Sequence, residues 1–483
     1  MIALHQLLKK RMKMLFLIIT LAIASLPVVV VELVLIFSGW ASVDEMDDPF
    51  IGLSGDQTLF VKHEQNSVFQ IRKGRQQFFR PASFASTKPS DGFRVFVLGG
   101  STVQGRPWET ETAFPQWLEI CLNANLPNRT VEVVNCGGVS YASYRLKPIF
   151  NEVLAYQPDL LVLCVGHNEF LEDRTYATEK RLPDFVVGLH RFFMNSRTYQ
   201  YLRTQLLEFR QHRQKEPLDQ LADSVVTRLD FENGLNRFST DSIQRNEVVA
   251  HFRFNIQQMI SAAADCDVPL LVLAPPVNQK DCFPFKPSND WDSQSVSSFV
   301  GVPLENLESD ANGNSHNADF CFSYGDSLFR EGRFSEAKIQ MNLAIENDLC
   351  PLRMTKDLRE TLELATRRAQ QRLVGKSKIV FIDLQTELEK MSAHSLVGDE
   401  FLVDHVHPSI GTHQLIARWI TKSLQQNKLI RTTPGWEIDV ISQFESKVQT
   451  LDFAYFQRGK DRLASVIKWS RGKAIRAIPE NRP

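Results

Sequence analysis

An excess of charge of either sign is missing from this chain. Its 55 Lys and Arg against 56 Asp and Glu leave a formal net charge of −1 over 483 residues. Binding nucleic acid takes a concentrated basic face, so that class of partner is set aside. The seven cysteines (Cys121, Cys136, Cys164, Cys266, Cys282, Cys321 and Cys350) form no C-x-x-C pair and no zinc-finger spacing, which argues against a structural zinc. Neither nucleotide loop occurs. Gly99, Gly100 and Gly105 are wrongly spaced for G-x-G-x-x-G, and G-x-x-x-x-G-K-[ST] is absent. With no G-x-S-x-G either, the α/β-hydrolase elbow is disfavoured. No metal or cofactor is implied. Cys164 lies in an apolar run and Cys136 follows one, so both read as small buried side chains. Cys282, Cys321 and Cys350 flank or lie in polar sequence, and a disulfide among them stays open.

What is present begins with an apolar N-terminus. Lys9, Lys10, Arg11 and Lys13 precede an almost unbroken run from Met14 to Val31, which resumes after Glu32 and ends near Trp40. About 20 predominantly apolar residues span a bilayer. A cleaved signal would have an apolar region of roughly 7–15 residues and a small-residue cleavage site. Glu32 costs such a helix about 2.5–3.5 kcal/mol on insertion scales, which the surrounding Val, Leu and Ile offset. The expectation is a single-pass anchor over 1–40, with its basic flank cytoplasmic and everything after Trp40 on the extracytoplasmic side.

Residues 41–92 read as a membrane-proximal segment with short strand-like pieces at Leu59–Lys62 and Ser67–Arg72. An alternation then begins. Arg94–Leu98, Val131–Asn135 and Leu160–Val165 are strand-like, separated by helical stretches at Ala113–Leu122 and Leu146–Ala155. That is the pattern of parallel crossover units, hence an α/β core. Residues 170–262 are helix-rich and charged. Val268–Ala274 and Lys378–Asp383 supply a fourth and a fifth strand, and a helix over Gly411–Leu424 closes the sheet. The core therefore divides into 93–285 and 376–425, interrupted by 286–375 and followed by a helical tail, 426–483. Residues 286–317, rich in Ser, Asn, Asp and Pro, read as loop. Within the helical stretch 318–370, Gly325, Gly332, Ala337 and Ala344 match the small positions of a tetratricopeptide-like hairpin. One such repeat cannot bury its face alone, so it must lean on the α/β core or on a protein partner.

Four places converge on one chemistry: Gly99-Gly-Ser101-Thr, Asn135-Cys-Gly-Gly138-Val-Ser140, Gly166-His-Asn168-Glu and Asp404-His-Val-His407-Pro. All follow expected strands, and ligands bind outside the carboxyl ends of strands in open α/β sheets. Acyl transfer at neutral pH needs a hydroxyl, a base to take its proton and a group orienting that base. Ser101, His407 and Asp404 are of those types. An oxyanion needs donors, which backbone N–H groups near Ser101 and in the glycine-rich turn, with the Asn168 amide, can supply.

In these four blocks the chain resembles the SGNH, or GDSL-like, hydrolase family, over roughly 93–170, 265–285 and 376–425. The resemblance implies a flavodoxin-like three-layer α/β/α sandwich with a parallel sheet. It also implies Ser101 as nucleophile, His407 as general base, Asp404 as its partner and Asn168 in the oxyanion hole. Two positions depart from the family pattern. Gly-Asp-Ser reads Gly-Gly-Ser here, and the second-block glycine falls on Ser140, with Gly138 as the alternative donor. The expected activity is that of a membrane-anchored serine esterase on a carboxylic ester, its substrate a lipid or an acylated envelope polysaccharide. An O-acyltransferase using the same triad is one alternative. A non-catalytic anchored protein that binds a partner through the helical insert is the other.

Overall fold

The computed structural model describes residues 58–63, 67–171, 240–291, 297–372, 378–431 and 433–473, with 29–38, 196–199 and isolated positions at 12, 16, 20, 26 and 27. The chain divides into two compact units. The smaller, 1–57 with 182–215, is described only in part, and most of the expected anchor lies outside the described residues. Among the described residues no helix is long and apolar enough to cross a membrane. Positions 29–37 are helical. The Glu32 carboxylate they carry is not left bare: it accepts from Ser196 Oγ and from the N–H groups of Arg197 and Thr198 at 2.7–2.8 Å.

In the larger unit, five parallel strands form one sheet: β4 (Gly92–Gly99), β5 (Thr130–Gly137), β6 (Leu160–Cys164), β7 (Leu270–Ala274) and β8 (Ile379–Asp383). Their order is β5-β4-β6-β7-β8. From β4 the chain first moves to one side, to β5, and then crosses to the other, to β6. This is the flavodoxin-like order, and the reversal opens a crevice between the exits of β4 and β6. β6 and β7 are buried throughout and read as unbroken apolar runs, as parallel strands covered on both faces must.

Alternation along the strands feeds two apolar layers. Val95, Val97, Leu160, Val162, Leu271 and Leu273 pack with Trp117 and Leu118 of α2 (Phe114–Asn125) and Ile416 and Ile420 of α10 (Ile410–Gln426). Their neighbours Phe96, Leu98, Leu161, Leu163, Leu270 and Val272 are equally buried and face the other way. That face carries α3 (Ser143–Leu154), which packs on β4, and α8 (Lys356–Arg372), which packs on β7 and β8. A long helix, α4 (Ser242–Asp265), lies against both α3 and α8. The fold class is thus α/β with helices on both faces of a parallel sheet.

Before the sheet, β1 (Phe60–His63), β2 (Val68–Ile71) and β3 (Ser83–Ala85) make a small antiparallel sheet. Phe84 meets Phe96 edge-on at 5.1 Å, which joins this sheet to the core. Arg94, only 2% exposed, bonds Glu132 Oε2 at 2.8 Å and the carbonyls of Ala85 and Tyr156.

The segment 286–317 is not all loop. Leu304–Asn314 form a helix, α5, in which Leu307 is buried, and Leu304, Glu305 and Glu308 are helix formers amid the polar residues. Two antiparallel helices follow, α6 (Ala318–Arg330) and α7 (Phe334–Glu346). Gly325 lets them close: a Cβ there would fall 2.9 Å from Met341 Cγ. This hairpin leans on the α/β core. Asn342 accepts from Gln279 at 2.8 Å, Lys338 pairs with Glu389 of α9 (Leu384–Met391), and Phe334 stacks on His394. The tail closes over α2: Phe444 of α11 (Trp436–Gln449) meets Trp117, and the Tyr455 hydroxyl lies 2.7 Å from Thr112 Oγ1. No disulfide joins any of the seven cysteines.

Candidate active site

β4 ends at Gly99, and a four-residue helix, α1 (Ser101–Gln104), begins two residues later with Gly100 at its N-cap. At the neighbouring strand exit Gly166 takes φ +137°, which brings Asn168 round toward Ser101. The Asn168 amide donates to the Tyr141 carbonyl at 3.1 Å and lies against Gly100. The backbone at Gly100 is ordinary (φ −85°), so the need for glycine is spatial alone. A Cβ there would stand 2.7 Å from Asn168 Nδ2. Gly100→Asp should therefore displace the amide. Loss of one oxyanion donor costs about 10²–10³-fold in kcat. Steady-state hydrolysis of an aryl acetate by the variant measures this.

The loop carrying His407 is closed on itself. Val403 N–H donates to the His407 carbonyl at 2.8 Å, and Leu402 bridges to Pro408. Inside it, Asp404 Oδ1 accepts from the N–H groups of Val406 (2.8 Å) and His407 (2.7 Å). Asp404 Oδ2 faces His407 Nδ1 at 2.6 Å, and His407 Nε2 lies 2.8 Å from Ser101 Oγ. The hydroxyl, imidazole and carboxylate thus meet across 306 residues of chain. Burial alone would raise the Asp404 carboxyl. The His407 and His405 imidazoles and the His407 and Val406 donors outweigh it and hold the group well below the usual carboxylate range. It stays ionised, as a group orienting an imidazolium must.

The second block lies beside them. Ser140 sits in the left-handed region (φ +59°), short of the conformation that favours glycine alone. Gly138 N–H donates to the Gly99 carbonyl at 2.9 Å and is already engaged. Between the two candidates, Ser140 is the one whose N–H is not tied to the sheet edge in this way.

Several residues here were not singled out as site residues from sequence. Asn278, after β7, donates from its side chain to the Asp404 carbonyl (3.2 Å) and from its backbone to the His405 carbonyl (3.0 Å), bracing the histidine loop. The fully buried Glu169 accepts from Ser143 N–H and Oγ, both at 2.8 Å, at the start of α3. Burial pushes its carboxyl up to about 7 against those two donors. An unfolded Glu titrates near 4.3, so the folded chain holds an extra proton between these values. Stability should be greatest below that lower value and fall as pH rises through about 7, by at most about 4 kcal/mol. Glu169→Gln keeps an acceptor for Ser143 N–H and removes the charge. Thermal midpoints measured from pH 5 to 8 should decline in the wild type and stay flat in the variant.

Among the described residues no group of three or more His, Cys, Asp or Glu side chains could hold a metal ion. Fold and site together define a Ser-His-Asp arrangement at the switch point of a flavodoxin-like sheet. No protein-family model matches the chain, and no curated protein does either. Solved structures do. A lipolytic protein of the G-D-S-L family from Desulfitobacterium hafniense is 13% identical, over 68% of this chain and 99% of its own, with TM-score 0.31. A lipase/acylhydrolase from Enterococcus faecalis is 14% identical, over 71% and 100%, with TM-score 0.32. A catalytic mutant of an acetylxylan esterase from Geobacillus stearothermophilus is 13% identical, over 70% and 96%, with TM-score 0.31. At these scores the likenesses carry no weight of their own, and the reading of the chemistry stands on the side chains.

Proposed function

We propose that this protein is a serine esterase of the SGNH type, tethered by its apolar N-terminus with the catalytic unit on the extracytoplasmic side. The observation that carries the reading is the unbroken line from Ser101 Oγ through His407 to Asp404, at 2.8 and 2.6 Å. Ser101 Oγ attacks the ester carbonyl while His407 Nε2 takes its proton. Asp404 holds the imidazole in the required orientation and stabilises its charged form. The tetrahedral oxyanion is received by the Asn168 amide with the N–H groups of Ser101 and Ser140. His407 then returns the proton to the departing alkoxide, leaving an acyl-enzyme on Ser101. Water, activated by the same imidazole, releases the acid. No metal or cofactor enters these steps.

The tether favours an ester held at or near a membrane, in lipid or in acylated envelope polysaccharide. Labelling with a fluorophosphonate tests the enzyme reading, with peptide mapping of the modified serine. Modification at Ser101 is the expected result. A wild-type chain that stays unlabelled, under conditions where a known esterase reacts, would defeat it and favour a non-catalytic binding protein. Supplying a sugar acceptor with an aryl acetate separates hydrolysis from O-acyl transfer, since transfer yields an acetylated sugar in place of acetate.

A further inference from the structure

The link between α7 and α8 does not run over the surface. Cys350, Leu352, Arg353, Met354 and Thr355 are each 2% exposed or less. This strap belongs to the helical insert, yet it grips core sequence that follows β7. Arg353 Nη1 donates to the carbonyls of Asn278 and Cys282, both at 2.9 Å. Just before the strap, the buried Asp348 accepts from the N–H groups of Phe285, Lys286 and Cys350 at 2.7–3.0 Å. Between them these two side chains hold the stretch 278–286.

A buried guanidinium is a costly way to hold a loop. Taking a charge out of water is repaid only by close pairing and full hydrogen bonding. Arg353 has neither, since the Asp348 carboxylate stands 3.9 Å from its Nη2, which has no hydrogen-bond partner. Well-packed apolar side chains of similar volume often serve stability as well as a buried ion pair. What a guanidinium adds is donors in a rigid fork. Here they meet carbonyls 75 and 71 residues earlier in the chain.

The first of those carbonyls belongs to the residue that braces the histidine loop. Asn278, 1% exposed, donates from its side chain to the Asp404 carbonyl at 3.2 Å and from its N–H to the His405 carbonyl at 3.0 Å. It thus holds from outside the same turn in which Asp404 Oδ1 takes the Val406 and His407 N–H groups. A second tie runs beside it. Gln279 donates to Asn342 of α7 at 2.8 Å and accepts from Val397 N–H at 2.9 Å.

We propose that Arg353 is a positioning residue of the Ser-His-Asp site: from the helical insert, and through Asn278, it sets where the loop carrying Asp404 and His407 stands against Ser101. The proposal rests on the esterase reading and gives the insert a part in the reaction. Misplacing a reacting group by about 1 Å can cost about 10²-fold in rate. The distance at stake is the 2.8 Å between His407 Nε2 and Ser101 Oγ.

Two arms test this on the full-length chain in detergent micelles. The first is hydrolysis of an aryl acetate. Arg353→Met fills similar space without a donor, and its kcat should fall about 10²-fold with KM within about twofold of wild type. The deciding comparison uses His407→Ala. A residue that acts by placing the imidazole then has nothing to place, so His407→Ala and His407→Ala/Arg353→Met should share one residual rate, within about twofold. A kcat within about threefold of wild type in Arg353→Met would overturn the proposal. So would a loss that persists in full without the imidazole, since Arg353 would then support the fold or the oxyanion donors instead. Should Arg353→Met not fold, Asp348→Asn/Arg353→Met, which leaves no lone buried charge, carries the same comparisons. The second arm is hydrogen exchange read by mass spectrometry, which needs no activity. Exchange in the peptide spanning 402–409 should quicken about tenfold or more in Arg353→Met, with β4 and β6 unchanged. Equal exchange there would refute the coupling. Failure of the esterase reading would show separately, as no hydrolysis by wild type.

Discussion

Ser101→Ala should lower ester hydrolysis by about 10⁶-fold, the scale on which serine triads lose activity with their nucleophile. The methyl group that remains cannot attack, while the Asn168 amide and the Tyr141 carbonyl it bonds are untouched by the change. A residual rate about 10³–10⁴-fold above water is expected, from binding and oxyanion stabilisation alone. Rapid-quench or long-time-course assays with an aryl acetate reach that floor. Activity retained within tenfold would mean that another group attacks.

His407→Ala should cost about as much, on the order of 10⁶-fold, because hydroxyl and base act as one unit. For the same reason the double variant Ser101→Ala/His407→Ala should be no slower than either single one, and that coincidence is the sharper observation. Independent contributions would instead multiply. Removing the imidazole leaves Asp404 with its two backbone donors, Val406 and His407 N–H, so the loop keeps its internal closure. A loss of only tenfold or less would show that His407 is not the base.

The sheet was legible from sequence because its inner strands are covered on both sides. Leu160–Val165 and Leu270–Ala274 are apolar at every position, a pattern that parallel burial demands and that surface segments rarely carry. Among the chemical blocks, Gly166-His-Asn168-Glu follows such a run directly, and Gly99-Gly-Ser101-Thr follows the equally buried β4. What sequence could not reveal were contacts made by groups without periodicity. The strap Cys-Pro-Leu-Arg-Met-Thr has neither helical nor strand pattern, and Arg353 is buried only because carbonyls more than 70 residues earlier receive it. His167 lies between Gly166 and Asn168, yet its ring accepts from a backbone N–H 187 residues later. Helix α5 was hidden among Ser, Asn and Asp, where loop composition outweighed a short run of helix formers. That the Gly138 N–H bonds the Gly99 carbonyl was likewise invisible in a turn of small residues.

The long separation between Ser101 and His407 also has a bearing on biosynthesis. Ribosomes add about 5–20 residues per second, so the 306 positions between Ser101 and His407 take about 15–60 s to translate. Through that interval the nascent polypeptide carries its serine with no base to activate it, and the hydroxyl is as unreactive as any other. On the esterase reading, hydrolytic competence arrives only when β8 and the loop behind it have emerged, which delays any self-inflicted acylation until then.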